Sequence, residues 1–282
     1  MGEDGDTGWI DCMDMDSDLL EVDIRSRSFL PPNKSWSVTH RNPVWTSSKL
    51  VLEKENPFAT LNISSTTVLD DQSERQACSS CNKSRKFFCY SCNLPLPAIK
   101  DFIPTLELPI LIDIVKHPGE VDGKSTAVHA PILAPGHVQI HIFPDIPDYN
   151  EENAILVFPG KESKSLEEIC EMSKSQTSCD SEQSFPYKRI VFIDSTWNQC
   201  HKICEDRRLK SLPRVMIQSR QTMFWRYQVG KPKEYLATIE AVYYFCVDYH
   251  KVVLGKEYMG EYDDMLFFFK FMYQKIHQLY SQ

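Results

Sequence analysis

The chain has 282 residues, 42% of them hydrophobic, and a formal charge of −8. That is enough apolar material for one substantial core with room for a small accessory module. No apolar run approaches the roughly 20 residues that span a bilayer, and the first residues are acidic where a secretory signal would be basic. The reading is a soluble, intracellular protein without a membrane partner, in which ten cysteines argue for a metal site plus buried thiols rather than a disulfide framework.

Residues 1–77 form an acidic arm that includes Asp4, Asp11, Asp14, Asp16 and Asp18. It lacks sustained periodicity and is predicted to be mostly flexible. Trp9, Trp36, Trp45 and Phe58 leave room for local docking of part of it. Next come Cys78-Ser-Ser-Cys81 and Cys89-Tyr-Ser-Cys92. Four thiolates at that spacing suit the tetrahedral soft-ligand shell of a structural zinc; buried free thiols or a redox pair are the alternatives. Lys83, Arg85 and Lys86 on the loop between the pairs could touch phosphate or simply face solvent.

After Pro95 and Pro97 strands and helices alternate. The spacing predicts a strand within Leu106–Val115 that begins properly at Ile110, because Pro109 has no N–H to give a ladder. A short helix over Ser125–Leu133, a strand over Val138–Phe143 and a cleaner strand over Ala154–Phe158 follow. Then come a surface helix over Glu162–Lys174, a polar insertion over residues 173–187 and a buried strand over Arg189–Asp194. A helix from Asn198, a strand over Arg214–Ser219, a helix over Glu234–His250 and a last helix over Met265–Tyr280, capped by Asp263, complete the domain of residues 93–282. The density of Phe267, Phe268, Phe269 and Phe271 points to core packing or a dimer face. The fold class is α/β, a mostly parallel sheet with helices on both faces, preceded by the small four-cysteine zinc knuckle.

The junction at Asp194-Ser195-Thr196-Trp197 is where a parallel strand ends and a helix begins. Ligands of open α/β sheets bind at such strand ends. A carboxylate beside a large aromatic there suits chemistry, while a helix cap and a core Trp are the plainer readings. The junction also heads the basic part of the chain. From Gln183 to Lys233, eleven Lys and Arg stand against Asp194, Glu205 and Asp206 alone, a local surplus that suits a nucleic-acid partner. No phosphate-binding glycine loop is present.

Taken together, the four-cysteine knuckle, His117-Pro118-x-Glu120, Phe158-Pro159, Asp194-x-Thr196-Trp197, Leu212-Pro213-Arg214 and Thr238-Ile239-Glu240-Ala241 resemble, in order and spacing, the DTW-domain family. The resemblance covers Cys78 to the C-terminus. It implies a tRNA-uridine aminocarboxypropyltransferase that moves the 3-amino-3-carboxypropyl group of S-adenosylmethionine to N3 of a D-loop uridine. It also implies a SPOUT-like, knotted cofactor-binding half. Ala237 departs from the pattern, where the family commonly carries Ser.

On that resemblance Asp194, Thr196 and Trp197 are the catalytic candidates. Phe158, Pro159, Asp194, Thr196, Ile217, Gln218, Thr238 and Glu240 are the candidates for binding S-adenosylmethionine, and Cys78, Cys81, Cys89 and Cys92 for structural Zn²⁺. Arg207, Arg208, Lys210, Arg220 and Arg226, interleaved with Phe224, Trp225 and Tyr227, are the candidates for holding tRNA. Asp194 is either the base that takes the uridine N3 proton or the architect of the pocket; His201 is a second candidate base, and His117 and Glu240 are assigned to pocket construction. The rival functions are a SPOUT-like RNA methyltransferase, an rRNA aminocarboxypropyltransferase, or a non-catalytic zinc-knuckle RNA adaptor. No obligatory protein partner is evident, and the nucleus is favoured over the cytoplasm.

Overall fold

The computed structural model describes residues 56–176, 185–218, 220–225 and 233–280. The acidic arm before residue 56, most of the polar insertion, and Arg226 with Tyr227 lie outside them. The chain divides into two units, Met1–Leu61 and Asn62–Gln282. Of the first, residues 56–61 form tight turns in which the Ala59 and Leu61 N–H groups donate to the Asn56 and Phe58 carbonyls, at 3.0 and 3.1 Å. Everything below concerns the second unit.

That unit begins before the knuckle. The Asn62 and Ser64 N–H groups donate to the carboxylates of Asp263 and Asp264, each at 2.6 Å, and α1 (Thr67–Asp71) buries Leu69. The cysteine region is two small hairpins. β1 (Gln76–Ala77) pairs antiparallel with β2 (Ser84–Arg85), and β3 (Phe88–Cys89) with β4 (Leu94–Pro95). Each Cys-x-x-Cys turn ends on an asparagine with positive φ, Asn82 at 59° and Asn93 at 54°, a backbone state that Asn tolerates because its short polar side chain bonds locally.

The main sheet has five strands, all parallel: β5 (Leu111–Lys116), β6 (Val138–Ile142), β7 (Ala154–Val157), β8 (Arg189–Asp194) and β9 (Arg214–Val215), in the order β6-β5-β8-β7-β9. Continuous apolar runs suit strands covered on both sides, and Ile112, Ile114, Val115, Ile190 and Val191 are completely buried. One face packs Val115, Ala154, Leu156 and Val191 against Ile203 of α4 (Trp197–Cys204) and Leu209 of α5 (Arg207–Lys210). On the other, Phe192 meets Phe245 of α6 (Thr238–Val252) edge to face at 5.9 Å. Helices therefore cover both faces, and none among the described residues is long and apolar enough to cross a membrane.

Element ends differ from the sequence reading where local capping intervenes. α3 (Leu166–Gln176) starts late because Ser165 and Glu168 form a reciprocal capping box: the Ser165 N–H donates to the Glu168 carboxylate at 2.7 Å, and the Glu168 N–H to the Ser165 hydroxyl at 3.2 Å. The short helix expected over Ser125–Leu133 is α2 (His129–Leu133). β9 is only Arg214–Val215, and on its free edge it is bridged in parallel to Lys164, whose carbonyl accepts the Met216 N–H at 3.0 Å. α6 starts at Thr238, not Glu234: Ala237 is extended, and the Glu240 carboxylate takes its N–H at 2.8 Å. A hydroxyl at position 237 would supply the other half of this helix cap, and alanine leaves it out.

Asp263 does not cap the last helix. It lies in a 3-10 turn, Asp263–Leu266, ahead of α7 (Phe267–Tyr280), and its carboxylate accepts from Asn62 N–H and the hydroxyls of Tyr243 and Tyr258, at 2.6, 2.9 and 2.8 Å. The α7 phenylalanines belong to the core rather than a dimer face. Phe268 touches Phe88 of the knuckle at 4.8 Å, and Phe271 touches Phe87 at 5.1 Å, both edge on. Phe268→Ala should lower the unfolding free energy by about 3–5 kcal/mol, the usual cost of emptying a buried aromatic position, as read from urea denaturation.

Candidate active site

The carboxyl ends of β5, β8, β7 and β9 lie along one edge. β5 and β8 are in register there, with Lys116 opposite Asp194, and the His117 N–H donates to the Asp194 carbonyl at 2.9 Å. The connection from β5 leaves toward β6 on one side and that from β8 leaves toward β9 on the other, so the order of strands reverses between β5 and β8. Such switch points leave a crevice at the strand ends. Phe158 is held next door, its N–H donating to the Val215 carbonyl at 3.0 Å and its carbonyl accepting the Ser163 hydroxyl at 2.7 Å. Phe158-Pro159, Asp194 to Thr196, Ile217-Gln218 and Thr238 therefore share this edge, as the spacing of motifs along the chain requires.

Asp194 does not cap α4; Thr196 does. Thr196 has the extended backbone of an N-cap, its carbonyl accepts from Gln199 and Cys200 N–H, and the Gln199 side chain reaches back to the Thr196 N–H at 3.4 Å. Asp194 instead points into the protein, 5% exposed. Its two oxygens accept separate hydroxyls, Ser125 at 2.7 Å and Thr238 at 2.6 Å. Burial raises its pKa; the two hydroxyls and the charge of Lys116 oppose that rise. Trp197 is the first residue of α4, and its side chain lies outside what is described. His201 is exposed.

A tight loop follows β5. The Glu120 N–H donates to the His117 carbonyl at 2.9 Å, and the Gly119 N–H to His117 Nδ1 at 3.0 Å. Gly119 lies so close to the His117 ring and the Gln199 side chain that an added Cβ would meet them at 3.1 and 3.4 Å, so this loop is pressed against the first turn of α4. Lys116 is buried and ion-paired with Asp122. Glu120 is half-buried, and its carboxyl is raised to about 7, first by burial and then by the charge of Asp194, against the pull of Lys116 and Lys124. Glu120 belongs to a motif visible in the sequence, but no role could be attached to it there. Ser125 carried no signal at all.

Glu240 is fully buried and accepts three bonds, from the Thr222 hydroxyl at 2.6 Å, the Met223 N–H at 2.5 Å and the Ala237 N–H. It ties the loop before α6 to the start of that helix. Burial raises its pKa against those donors. A cavity of about 120 Å³ lies between α3, the β9 exit and α6, lined by Ile217, Gln218, Arg220, Phe245 and Asp248 among others. It takes in Ile217 and Gln218 but none of Asp194, Thr238 or Glu240.

The basic candidates separate into two kinds. Arg207 and Lys210 are exposed, Lys210 reaching Glu205 at 2.6 Å. Arg208 is occupied by its own chain: it donates to both oxygens of Asp206 and to the Ile146 and Pro144 carbonyls at 2.8–3.0 Å, and its bonds hold the Asp206 carboxyl down to about 2. Arg220 is paired with Asp248 at 2.6 Å.

The sulfurs of Cys78, Cys81, Cys89 and Cys92 lie within 4.8 Å of one another. Tetrahedral zinc with Zn–S bonds of about 2.3 Å needs sulfurs about 3.8 Å apart, so the donor set fits. The Cys81 and Ser80 N–H groups lead in lowering the Cys78 thiol to about 6, while at Cys92 the pull of Ser80 is outweighed and the neighbouring thiols push it up to about 11.

Residues 86–277 match the DTW domain model. The chain is 43% identical over 256 residues to tRNA-uridine aminocarboxypropyltransferase 1 of Xenopus tropicalis, covering 79% of this chain and 87% of that protein. The Mus musculus and Homo sapiens proteins of the same name are each 42% identical over 259 residues, covering 80% and 85%. No solved structure matches the chain at a significant level.

Thr238→Val removes one of the two hydroxyls on the buried Asp194 carboxylate. It should cost about 1–3 kcal/mol at neutral pH, the usual price of a buried acceptor left short. Asp194 is raised in the folded state, so protonation at lower pH relieves the unpaired charge, and the loss should shrink when urea titrations are repeated in acid.

Proposed function

Since this chain belongs to the DTW-domain family, we propose that it modifies tRNA, transferring the 3-amino-3-carboxypropyl group of S-adenosylmethionine to N3 of a D-loop uridine and releasing methylthioadenosine. The observation that carries this is the 42–43% identity, over 79–80% of the chain, to proteins named tRNA-uridine aminocarboxypropyltransferase 1. It is an enzyme, a transferase, with tRNA as its macromolecular substrate and S-adenosylmethionine as donor. A SPOUT-like, knotted C-terminal half belongs to the same reading, and the all-parallel sheet covered on both faces agrees with it.

The sulfonium of the donor activates three carbons, and the shape of the site selects which one meets the nucleophile. The loops at Phe158-Pro159, Thr196 and Ile217-Gln218 hold the donor in this reading, largely through backbone groups. Asp194 and Glu240 serve as builders of that pocket: Asp194 locks the β8 end to Ser125 and Thr238, and Glu240 fixes the segment at Thr222 and Met223. Trp197 supplies an aromatic surface beside the reacting base. Arg207, Lys210 and Arg226 meet tRNA phosphates, while Arg208 and Arg220 are taken up by contacts within the protein. The four cysteines hold structural Zn²⁺, and a closed four-thiolate shell leaves no position for catalysis.

Incubation with tRNA and S-adenosylmethionine labelled in either the carboxyl or the methyl group tests the function. Carboxyl label in tRNA with methylthioadenosine released is expected; methyl label in tRNA, or no label, would overturn it. For the metal, the purified protein should contain zinc at a one-to-one ratio. Cys89→Ser should lose it and unfold at a lower temperature, because metal binding to such a site is folding free energy.

A further inference from the structure

We propose that Glu120 is the general base that takes the N3 proton of the target uridine. The inference rests on the transferase reading above and adds to it the residue that makes the nucleophile. A base must be able to reach the substrate, and the two carboxylates at this switch point differ in that respect. Asp194 is buried and has a hydroxyl on each oxygen. Glu120 is half-buried, and among the described residues its carboxylate accepts no hydrogen bond and forms no ion pair.

The place of Glu120 is set by the backbone. It is four residues beyond Lys116, which stands opposite Asp194 in the β5–β8 register, and the turn at His117 folds it back while Gly119 is wedged against the His117 ring and Gln199 of α4. The charges that bear on it are Asp194 of β8, Lys116 of β5 and Lys124 of the following loop, while Asp122 pairs with Lys116 and His117 stands in the same turn. Lys116 is already committed to Asp122. Burial, helped by the charge of Asp194 and opposed by Lys116 and Lys124, raises the Glu120 carboxyl to about 7, where a base can take a proton at neutral pH and release it afterwards.

The step balances without further reactants. The N3–H proton passes to the Glu120 carboxylate, and the N3 electron pair forms the bond to the γ-carbon of the aminocarboxypropyl group. The γ-carbon–sulfur bond breaks with its pair going to sulfur, so the sulfonium becomes a neutral thioether, and Glu120 returns its proton to solvent.

The test compares wild type, Glu120→Gln and Glu120→Asp in carboxyl-label transfer across pH, with S-adenosylmethionine affinity measured by calorimetry. Wild type should show an acid limb centred near pH 7. Glu120→Gln should lower kcat by about 100-fold or more, lack that limb and gain rate as pH rises and N3 ionises unaided, with donor affinity unchanged; Glu120→Asp should fall between. A Glu120→Gln enzyme with wild-type rate or a retained acid limb would overturn the assignment, as would a loss of donor affinity that matches the loss of rate. Wild type that transfers no label would remove the transferase reading and this assignment together.

Discussion

A carboxylate taken out of water has to be surrounded by donors or it neutralises. Asp194 is such a group, and the way it is satisfied organises the site. One oxygen reaches Ser125, 69 residues earlier, and the other reaches Thr238, 44 residues later. Strand β8, the loop before α2 and the start of α6 are thereby fixed to one point. The His117 N–H on the Asp194 carbonyl adds the end of β5. Each neighbouring feature, from the capped start of α4 to the turn that carries Glu120, is measured from this node.

The same logic recurs one turn along α6. Glu240 is buried, among the described residues without a cation beside it, and it collects two backbone N–H groups and one hydroxyl from two segments, Thr222-Met223 and Ala237. Thr238 donates toward the strand end and Glu240 accepts from the loop before the helix, so the first turn of α6 is locked from both sides. Such networks rigidify a site only when every member is satisfied. Ala237, at the N-cap, offers no side-chain acceptor, and that leaves half of a helix cap unmade.

Much of the framework was legible because it depends on local pattern. Arg189–Asp194 is apolar enough to be a buried strand and nothing else, and the observed bounds agree. A helix cap at this junction and the four-cysteine cluster follow from spacing alone, though which residue caps, Thr196 rather than Asp194, does not. What sequence could not supply were contacts set by distant residues. Arg208 looks like any surface arginine until Pro144 and Ile146 carbonyls close on it from 64 and 62 residues away. Asp263 has the right place to cap a helix, yet tertiary contacts with Asn62, Tyr243 and Tyr258 claim its oxygens. Glu120 was visible as a letter in a motif, but its environment depends on the Lys116–Asp194 register, which only folding reveals.

The contacts of Asn62 and Ser64 with Asp263 and Asp264 join residues 201 and 200 positions apart. The knuckle phenylalanines likewise rest on α7, the last helix. A ribosome delivers these partners some 200 residues apart, and contacts of such long sequence separation close slowly. The segments made first cannot reach their final places until the last helix has emerged. Folding of this unit therefore waits for α7, and every chain that stops short of that helix exposes the apolar surface of Phe87 and Phe88.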